Sequence, residues 1–222
     1  AVAQVFPDML RRSIPGYAAS LQAIGQLASR FAQPDSRCYD LGCSLGAVAL
    51  TMRQAIAVPG CRIVAVDNSP AMIARCRENI ANSPGRSAID ISVLEADIRD
   101  VSVTRASMVV LNYTLQFLPP GERGPLLKRI AAGTLERGIL LLSEKVVDED
   151  PEIERVLLEL HHEYKRRNAY SELEISRKRA ALEKVLVPDT LSTHLTRLRE
   201  AGFRRAGVWL RYFNFASILA IR

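Results

Sequence analysis

Three aspartates lie in, or just after, apolar runs in the first hundred residues of the chain. Asp40 lies in the first of these runs, Asp67 ends the second and Asp97 comes just after the third. If the runs are parallel strands, the three carboxylates meet at one edge of a sheet. An acid at the end of the second strand is placed to accept both ribose hydroxyls, and an acid after the third can face an adenine edge. The spacing therefore predicts a nucleoside site.

A short glycine loop, residues 42–46, follows the first run and leads into a helical segment. Glycine allows a tight turn and lets a ligand approach the main chain without a Cβ in the way. Dinucleotide-binding proteins use G-x-G-x-x-G so that a helix N-terminus can hold a pyrophosphate. Here Ser44 replaces the middle glycine, and no glycine stands three residues after it. A ligand without phosphates, such as S-adenosylmethionine, fits this loop better.

The same loop also matches the G-x-S-x-G nucleophile elbow of hydrolases. In that interpretation Ser44 is the nucleophile and His194 is a possible base. The elbow usually comes after several strands of its fold, and it would leave Asp67 and Asp97 unexplained. We therefore favour nucleoside binding.

Histidine and cysteine spacings do not indicate a metal centre. His161 and His162 are adjacent on a predicted helix, so their side chains point about 100° apart and cannot both face one site. The four cysteines form no C-x-x-C pair, and we expect reduced thiols and no bound metal. These cysteines are Cys38, Cys43, Cys61 and Cys76.

Composition fits a globular protein of ordinary solubility. The 222 residues are 48% hydrophobic and 24% charged, with a net charge of +6. No stretch approaches the length of a membrane span, and the first residues lack the pattern of a signal peptide. We expect a cytoplasmic protein whose natural start lies upstream, because the sequence does not begin with Met.

The elements that must position the aspartates alternate between strands and helices. Continuous apolar strands separated by helices are typical of a parallel sheet covered on both faces. Predicted strands cover residues 37–41, 62–66, 89–94, 108–111, 139–142, 207–213 and 215–221, and predicted helices cover 18–31, 47–57, 70–82, 126–132 and 190–201. Ser69 is expected to cap the helix that begins at Pro70.

The last two strand-like runs are separated only by Asn214, which predicts either one bent strand or a tight antiparallel pair. Residues from about 150 to 186 carry no strand pattern and are expected to form a helical insertion, interrupted near 168–171. The fold class predicted is α/β, Rossmann-like, with a mostly parallel sheet, an antiparallel edge and the insertion before the last strands. We expect a single domain spanning 1–222.

The loop 42–46, Asp67 and Asp97 resemble those of class I S-adenosylmethionine-dependent methyltransferases. Seven further blocks are similar to one family within that class, the carboxy-S-adenosyl-L-methionine synthases. These blocks are VFPDM at 5–9, SIPGY at 13–17, DNSPAMI at 67–73, LNYTLQFL at 111–118, LSEK at 142–145, HHEYKR at 161–166 and NAYSELEIS at 168–176.

The resemblance implies an unusual use of the fold, in which S-adenosylmethionine is a substrate. Members of this family convert it, with prephenate, to carboxy-S-adenosylmethionine and phenylpyruvate. The product then serves a partner enzyme that carboxymethylates hydroxyuridine at the tRNA wobble position, giving 5-oxyacetyluridine. The implied ligand-binding residues are Tyr17, Gly42, Cys43, Ser44, Asp67, Asn68, Asp97, Ile98, Asn112 and Arg179.

The implied chemistry requires a carbanion-like carbon beside a sulfonium, which demands a water-poor pocket. Cations must also hold the substrate and product carboxylates. The planar fork of Arg179 suits the new carboxylate, and we assign it the catalytic role. Weaker candidates for contacting prephenate are Arg12, Lys165, Arg166 and Tyr170.

Two alternative functions remain at this point. A conventional methyltransferase acting on a small acid or on tRNA would share every feature up to Asp97. A tRNA-binding protein could use the basic clusters 165–167 and 177–179, since such clusters bind phosphate backbones. Acidic residues interrupt those clusters, so we expect no direct nucleic-acid binding. Apolar residues along the insertion, among them Val156, Leu157 and Leu160, predict a homodimer.

Overall fold

The computed structural model describes residues 2–83, 89–170 and 186–222. The helices of these segments are α1 Val2–Ser13, α2 Tyr17–Phe31, α3 Ala47–Ala55, α4 Pro70–Asn82, α5 Pro120–Gly133, α6 Pro151–Arg167 and α7 Leu191–Ala201. The strands are β1 Arg37–Leu41, β2 Arg62–Asp67, β3 Ile91–Glu95, β4 Ala106–Asn112, β5 Thr134–Val147, β6 Asp189–Thr190, β7 Arg205–Tyr212 and β8 Phe215–Ile221. A 3-10 turn at Leu115–Phe117 follows β4.

The strands form one sheet in the order β3-β2-β1-β4-β5-β8-β7, with β6 paired to β5. The first five strands are parallel, whereas β8 runs antiparallel to both β5 and β7. The chain order reverses between β1 and β4, which is where open parallel sheets bind ligands at the carboxyl ends of their strands. The predicted fold class, with its antiparallel edge, is confirmed.

Side chains alternate between two cores along the central strands, because a strand has a period of two residues. Met108 and Val110 of β4 face a core formed with α2, α3 and α4. Val109 and Leu111 face the other core, formed with α5 and α7. Helices therefore cover both faces, which explains why the middle parts of the central strands are apolar.

Several predicted boundaries differ from the structure. Helix α5 begins at Pro120, six residues earlier than expected, because Gly121, Gly124 and Pro125 hide the helical pattern. Strand β5 has 14 residues instead of the four predicted, and its polar ends lie outside the apolar run. Helix α1 was not predicted at all.

The end of the chain settles the alternative left open by the sequence. Strands β7 and β8 form an antiparallel pair, and Phe213 takes a left-handed conformation in the turn between them (φ 51°). Helix α6 ends at Arg167, and Ala169 (φ 60°) marks the predicted interruption of the helical insertion. Much of the rest of that insertion lies outside the described residues, and the single-domain organisation stays a prediction.

None of the helices in the described ranges combines the length and apolarity needed to cross a lipid bilayer.

Candidate functional site

The glycine loop is held by main-chain hydrogen bonds to its neighbours. Gly42 and Cys43 both donate to the Val66 carbonyl at 2.8 Å, which ties the loop to the end of β2. The backbone of Gly42 is left-handed (φ 87°), and a Cβ there would lie 2.3 Å from Oγ1 of Thr114. A side chain at this position is therefore excluded both by conformation and by the loop after β4.

Asp67 joins the glycine loop to helix α4. Its Oδ2 accepts from the Ser44 amide and its Oδ1 from the Ser69 amide, each at 2.9 Å. Each oxygen keeps acceptor capacity, so the carboxylate can still take two hydroxyl donors from a ribose. The predicted cap of α4 is wrong in one respect. Ser69 occupies the N-cap position, but its side chain makes no capping hydrogen bond.

Asp40 is fully buried and hydrogen-bonds to the first turn of helix α3. Its carboxylate accepts from the Ala49 amide at 3.1 Å, in the first turn of a helix whose N-cap, Gly46, has no side chain. Burial, with a smaller contribution from Asp67, raises the pKa of Asp40 to about 7. Burial and then the nearby Asp40 also raise the pKa of Tyr17 to about 12.

Asp97 is fixed by Arg99. Both the Nε and the backbone amide of Arg99 donate to Oδ1 of Asp97 at 2.9 Å, and Nη2 donates to Oδ2 at 2.6 Å. The side-chain hydrogen bond is the largest of the causes that keep the pKa of Asp97 low. The carboxylate is therefore an ionised, oriented acceptor beside the buried Ile98.

Asn112, at the end of β4, carries a buried amide oxygen with no hydrogen-bond partner among the described residues. Leaving a buried acceptor unsatisfied costs about 1–3 kcal/mol. An atom of this kind at the wall of a cavity is a site for a donor from a ligand, such as an ammonium group.

A cavity of about 1070 Å³ opens at the carboxyl edge of the sheet and joins these groups. Its far wall combines apolar side chains, among them Ile14 of the α1–α2 segment and Phe215 of β8, with a few basic ones. Nine of the ten ligand-binding residues implied by the resemblance line it: Tyr17, Gly42, Cys43, Ser44, Asp67, Asn68, Asp97, Ile98 and Asn112. The tenth, Arg179, lies outside the described residues, so its catalytic assignment stays a prediction.

A buried acidic side chain, Glu144, fixes the segment after β4 that contributes Thr114 and Gln116 to the cavity wall. Its two oxygens accept from the amides of Leu115 and Gln116, each at 2.9 Å, at the start of the 3-10 turn. Burial raises its pKa to about 8, against the opposing effect of these hydrogen bonds. The contact fixes the segment after Asn112, including Thr114, against the glycine loop.

Helix α1 and helix α6 close the side of the cavity opposite the aspartates. Nε of Arg12 donates to the Asn168 carbonyl at 2.7 Å, and its guanidinium lies 4.3 Å from the ring centre of Tyr170. Nε2 of His161 is 2.9 Å from the Ser13 carbonyl. Arg12 and Tyr170, proposed from the sequence as contacts for prephenate, are thus engaged in joining the two helices.

Sequence reasoning missed part of this wall. His161 lines the cavity, as do Lys145 and Lys165. Only Lys165 was among the candidates. No local pattern could reveal this wall, because it forms only when α6 packs against α1 and β8.

The hydrolase interpretation has no support in this geometry. The Ser44 hydroxyl donates to the Met72 sulfur at 3.6 Å. His194 lies on α7, where its charged neighbours are Asp189, Arg197 and Arg123, and it does not line the cavity. Within the described residues, no cluster of three or more His, Cys, Asp or Glu side chains could hold a metal ion.

The sheet order, the glycine loop and the acids at the strand ends define a protein with the S-adenosylmethionine-dependent methyltransferase fold. A family model described as a methyltransferase domain matches residues 39–138. A solved magnesium protoporphyrin IX methyltransferase from Synechocystis PCC 6803, with bound SAH, aligns with a TM-score of 0.64 at 15% identity and covers 96% of this chain and 86% of its own. Human N-acetylserotonin methyltransferase in complex with SAM aligns with a TM-score of 0.57 at 20% identity, covering 100% and 60%.

Curated relatives are much closer in sequence. A carboxy-S-adenosyl-L-methionine synthase of Aliivibrio fischeri strain ES114 is 54% identical over 221 residues, which is 100% of this chain and 90% of the relative. Proteins of the same name from Trichlorobacter lovleyi and Klebsiella pneumoniae strain 342 are 53% and 50% identical, over 100% of this chain and 90% and 89% of theirs. The chain belongs to the carboxy-S-adenosyl-L-methionine synthase family, and it is an S-adenosylmethionine-using enzyme.

Proposed function

We propose that this enzyme converts S-adenosylmethionine and prephenate to carboxy-S-adenosylmethionine and phenylpyruvate. The observation that carries the proposal is the single cavity that joins nine of the ten residues expected to bind the nucleoside. The family membership supports the product, because the relatives are named for its synthesis.

The nucleoside end of the cavity offers a partner for each part of S-adenosylmethionine. Asp67 would accept the ribose hydroxyls while it keeps its two bonds to Ser44 and Ser69. Asp97 would face the adenine edge, and the unpartnered Oδ1 of Asn112 would accept from the ammonium group of the amino-acid part. In this arrangement the sulfonium lies between the glycine loop and the end of β4.

The proposed reaction balances without an added base. The bond to the ring carboxylate of prephenate breaks, its electron pair makes the ring aromatic, and the ring hydroxyl leaves as hydroxide. The hydroxide takes a proton from the sulfonium methyl group and becomes water. The resulting ylide carbon bonds to the released carbon dioxide, which forms carboxy-S-adenosylmethionine beside phenylpyruvate.

The chain would contribute exclusion of water and placement of charge. An ylide is quenched in a protic environment, so an apolar wall that includes Ile14 and Phe215 supports this chemistry. Arg179 would hold the new carboxylate bidentately. Further proposals from the sequence are a homodimer, a cytoplasmic location, a tRNA carboxymethyltransferase that consumes the product, and no direct contact of this chain with nucleic acid.

The test uses prephenate labelled with carbon-13 at its ring carboxyl group. We expect a prephenate-dependent nucleoside product that is heavier than S-adenosylmethionine by one labelled carbon dioxide. Reactions without prephenate, or with heat-inactivated enzyme, should give no such product. Transfer of an unmodified methyl group to an acid or to tRNA would instead identify a conventional methyltransferase and refute the proposal.

A matched pair of variants tests the nucleoside end. Asp67→Asn removes the charge from both proposed ribose bonds, and hydrogen bonds to charged groups contribute about 1.5–3 kcal/mol. We expect the Kd for S-adenosylmethionine, measured by calorimetry, to rise at least about tenfold. Asp100→Asn changes an exposed aspartate nearby and should leave the Kd unchanged. Equal affinities for the two variants would contradict the assignment of Asp67.

A further inference from the structure

Charge is segregated along the cavity. Among the described residues that line it, the acids are Asp40, Asp67 and Asp97, which all stand at the ends of β1 to β3. At the acidic end Arg99 also lines the cavity, but its guanidinium is paired with Asp97 and Glu122. The opposite end carries Arg11, on α1, and the ammonium groups of Lys145, on β5, and Lys165, on α6. One end therefore suits hydroxyl donors and a sulfonium, whereas the other attracts anions.

Lys165 is almost buried in the wall, with 8% of its surface exposed. His161 lies one turn earlier on α6, and its ring packs edge-on against Phe215 with centroids 4.9 Å apart. Burial first, then Lys165 and, more weakly, Lys145 lower the pKa of His161 to about 3. The imidazole is therefore neutral, and its Nε2 is placed to donate to the Ser13 carbonyl. The positive charge of this wall comes from Lys145, Lys165 and Arg11.

Lys145 is fixed by its strand. Its amide donates to Oε1 of Gln116 at 3.0 Å, and it pairs with Phe215 across β5 and β8. Strand β5 lies two strands away from β1 in the sheet. At the usual spacing this separation is about 10 Å. The backbone of Lys145 therefore lies about two strand spacings from β1 at the nucleoside end, a separation suited to a second small molecule.

We propose that Lys145 and Lys165 form a subsite for the carboxylate of the second substrate that stays on the keto-acid product. The inference rests on the proposed function. Prephenate has two carboxylates, and the one lost as carbon dioxide must lie next to the sulfonium methyl group. The retained carboxylate is then directed away from the sulfonium, toward the basic wall. Two ammonium groups suit this anion because each is a compact positive charge that carries three hydrogen-bond donors.

The test compares Lys165→Met and Lys145→Met with the control Lys128→Met, which alters an exposed lysine on α5. We expect the KM for prephenate to rise about 10–100-fold in each of the first two variants. The inhibition constant of phenylpyruvate, which carries only the retained carboxylate, should rise by a similar factor. The Kd for S-adenosylmethionine should stay within about twofold, and Lys165→Arg should restore most of the prephenate affinity.

The separate measurements distinguish failure of the proposed function from failure of the proposed subsite. If the unmodified enzyme makes no carboxylated product, the proposed function is refuted. Calorimetric binding of phenylpyruvate to the enzyme saturated with S-adenosylmethionine then tests the subsite by itself. If turnover occurs but Lys165→Met and Lys145→Met keep the phenylpyruvate inhibition constant of the control, the subsite is refuted. Retained S-adenosylmethionine binding verifies that each variant is folded. If Lys165→Met does not fold, Lys145→Met, at the less buried position, tests the subsite instead.

Discussion

The side-chain amide of Asn112 illustrates a residue whose placement serves a ligand at the expense of the fold. Its buried Oδ1 has no partner among the described residues, although polar atoms in protein interiors are nearly always hydrogen-bonded. The main chain around Asn112 is held in place by strand β4 and by the hydrogen bond from the Leu115 amide to Glu144. We therefore expect a bound ligand to supply the missing hydrogen bond.

Asn112→Ala is expected to weaken binding without weakening the unliganded protein. The Kd for S-adenosylmethionine should rise about tenfold, which corresponds to about 1.4 kcal/mol. The Kd for methylthioadenosine, which lacks the amino-acid part, should not change. The free energy of unfolding without ligand should stay equal or increase slightly, because a buried unsatisfied acceptor is removed. Calorimetry and urea denaturation measure both quantities, and Asn82→Ala, at an exposed position on α4, is the control. A parallel loss of affinity for both ligands would show that Asn112 does not contact the amino-acid part.

Glu144 predicts a pH dependence of stability. Its pKa is raised to about 8 in the folded protein by burial, against 4.5 in an exposed chain. Between these pH values the folded state holds a proton that the unfolded state has released, so the free energy of unfolding falls as the pH rises from about 4.5 to about 8. The contribution is fully present below pH 4.5, and its slope is at most about 1.4 kcal/mol per pH unit.

Urea denaturation at pH 5 and pH 8 tests this assignment. Glu144→Gln should lose less stability between the two pH values than the unmodified protein does. Glu200→Gln changes an exposed glutamate and should reproduce the unmodified pH dependence. Identical pH slopes for Glu144→Gln and Glu200→Gln would show that the carboxyl of Glu144 is already ionised at pH 5.

At the scale of elements, the glycine loop and the loop after β4 are packed together without room for a side chain at Gly42. Gly42→Ala would combine a left-handed backbone (φ 87°) with a Cβ 2.3 Å from Oγ1 of Thr114. The strain and overlap together should cost about 2–4 kcal/mol, which lowers Tm by about 4–16 °C in a chain of this size. Scanning calorimetry measures the change.

Two further variants make that prediction specific. Gly121→Ala, in helix α5, meets nothing within 4 Å and should leave Tm unchanged or raise it slightly. Combining Gly42→Ala with Thr114→Ala removes the two nearest atoms, Oγ1 and Cγ2, and should recover part of the loss. If the double variant recovers nothing, the cost of Gly42→Ala comes from backbone strain and from the overlap with Cβ at position 114, which would lie 2.9 Å away.

The sequence alone predicted the bounds of those elements that local residue patterns determine. Strand β1 and helix α4 have the predicted bounds, because an apolar run in one case and a Pro start in the other determine them locally. The polar ends of β5 could not be predicted, because these residues adopt strand structure only when they pair with β4 and β8. The residues that we propose to bind the nucleoside lie near strand ends, so their meeting at one cavity was predictable. The wall with His161 depends on the packing of α1 against α6.

For the whole molecule, the exposed apolar face of α6 predicts the way two copies associate. Ile153, Val156 and Leu160 lie on one side of the helix and are 49%, 41% and 36% exposed. The spacing i, i+3 and i+7 makes this a continuous stripe. We expect a homodimer that buries the stripe, since soluble proteins seldom leave such a surface uncovered.

Leu160→Glu should convert the dimer to a monomer, as measured by light scattering after gel filtration. A buried glutamate without a partner is too costly for a dimer interface of ordinary affinity to tolerate. Leu94→Glu, on the edge strand β3, changes a leucine that is 42% exposed and should leave the dimer intact. Dissociation by Leu94→Glu instead of Leu160→Glu would place the interface at the other edge of the sheet.

The segregation of charge in the cavity follows the division of the chain itself. Asp40, Asp67, Asp97 and Asn112 all lie within residues 39–138, the part that matches a general methyltransferase domain. Lys145 and Lys165 lie beyond it. If the proposed subsites are correct, one segment binds the nucleoside and a later one selects the molecule that reacts with it. A chimera that exchanges Lys145 together with α6 is therefore expected to change the co-substrate while Asp40, Asp67, Asp97 and Asn112 stay in place.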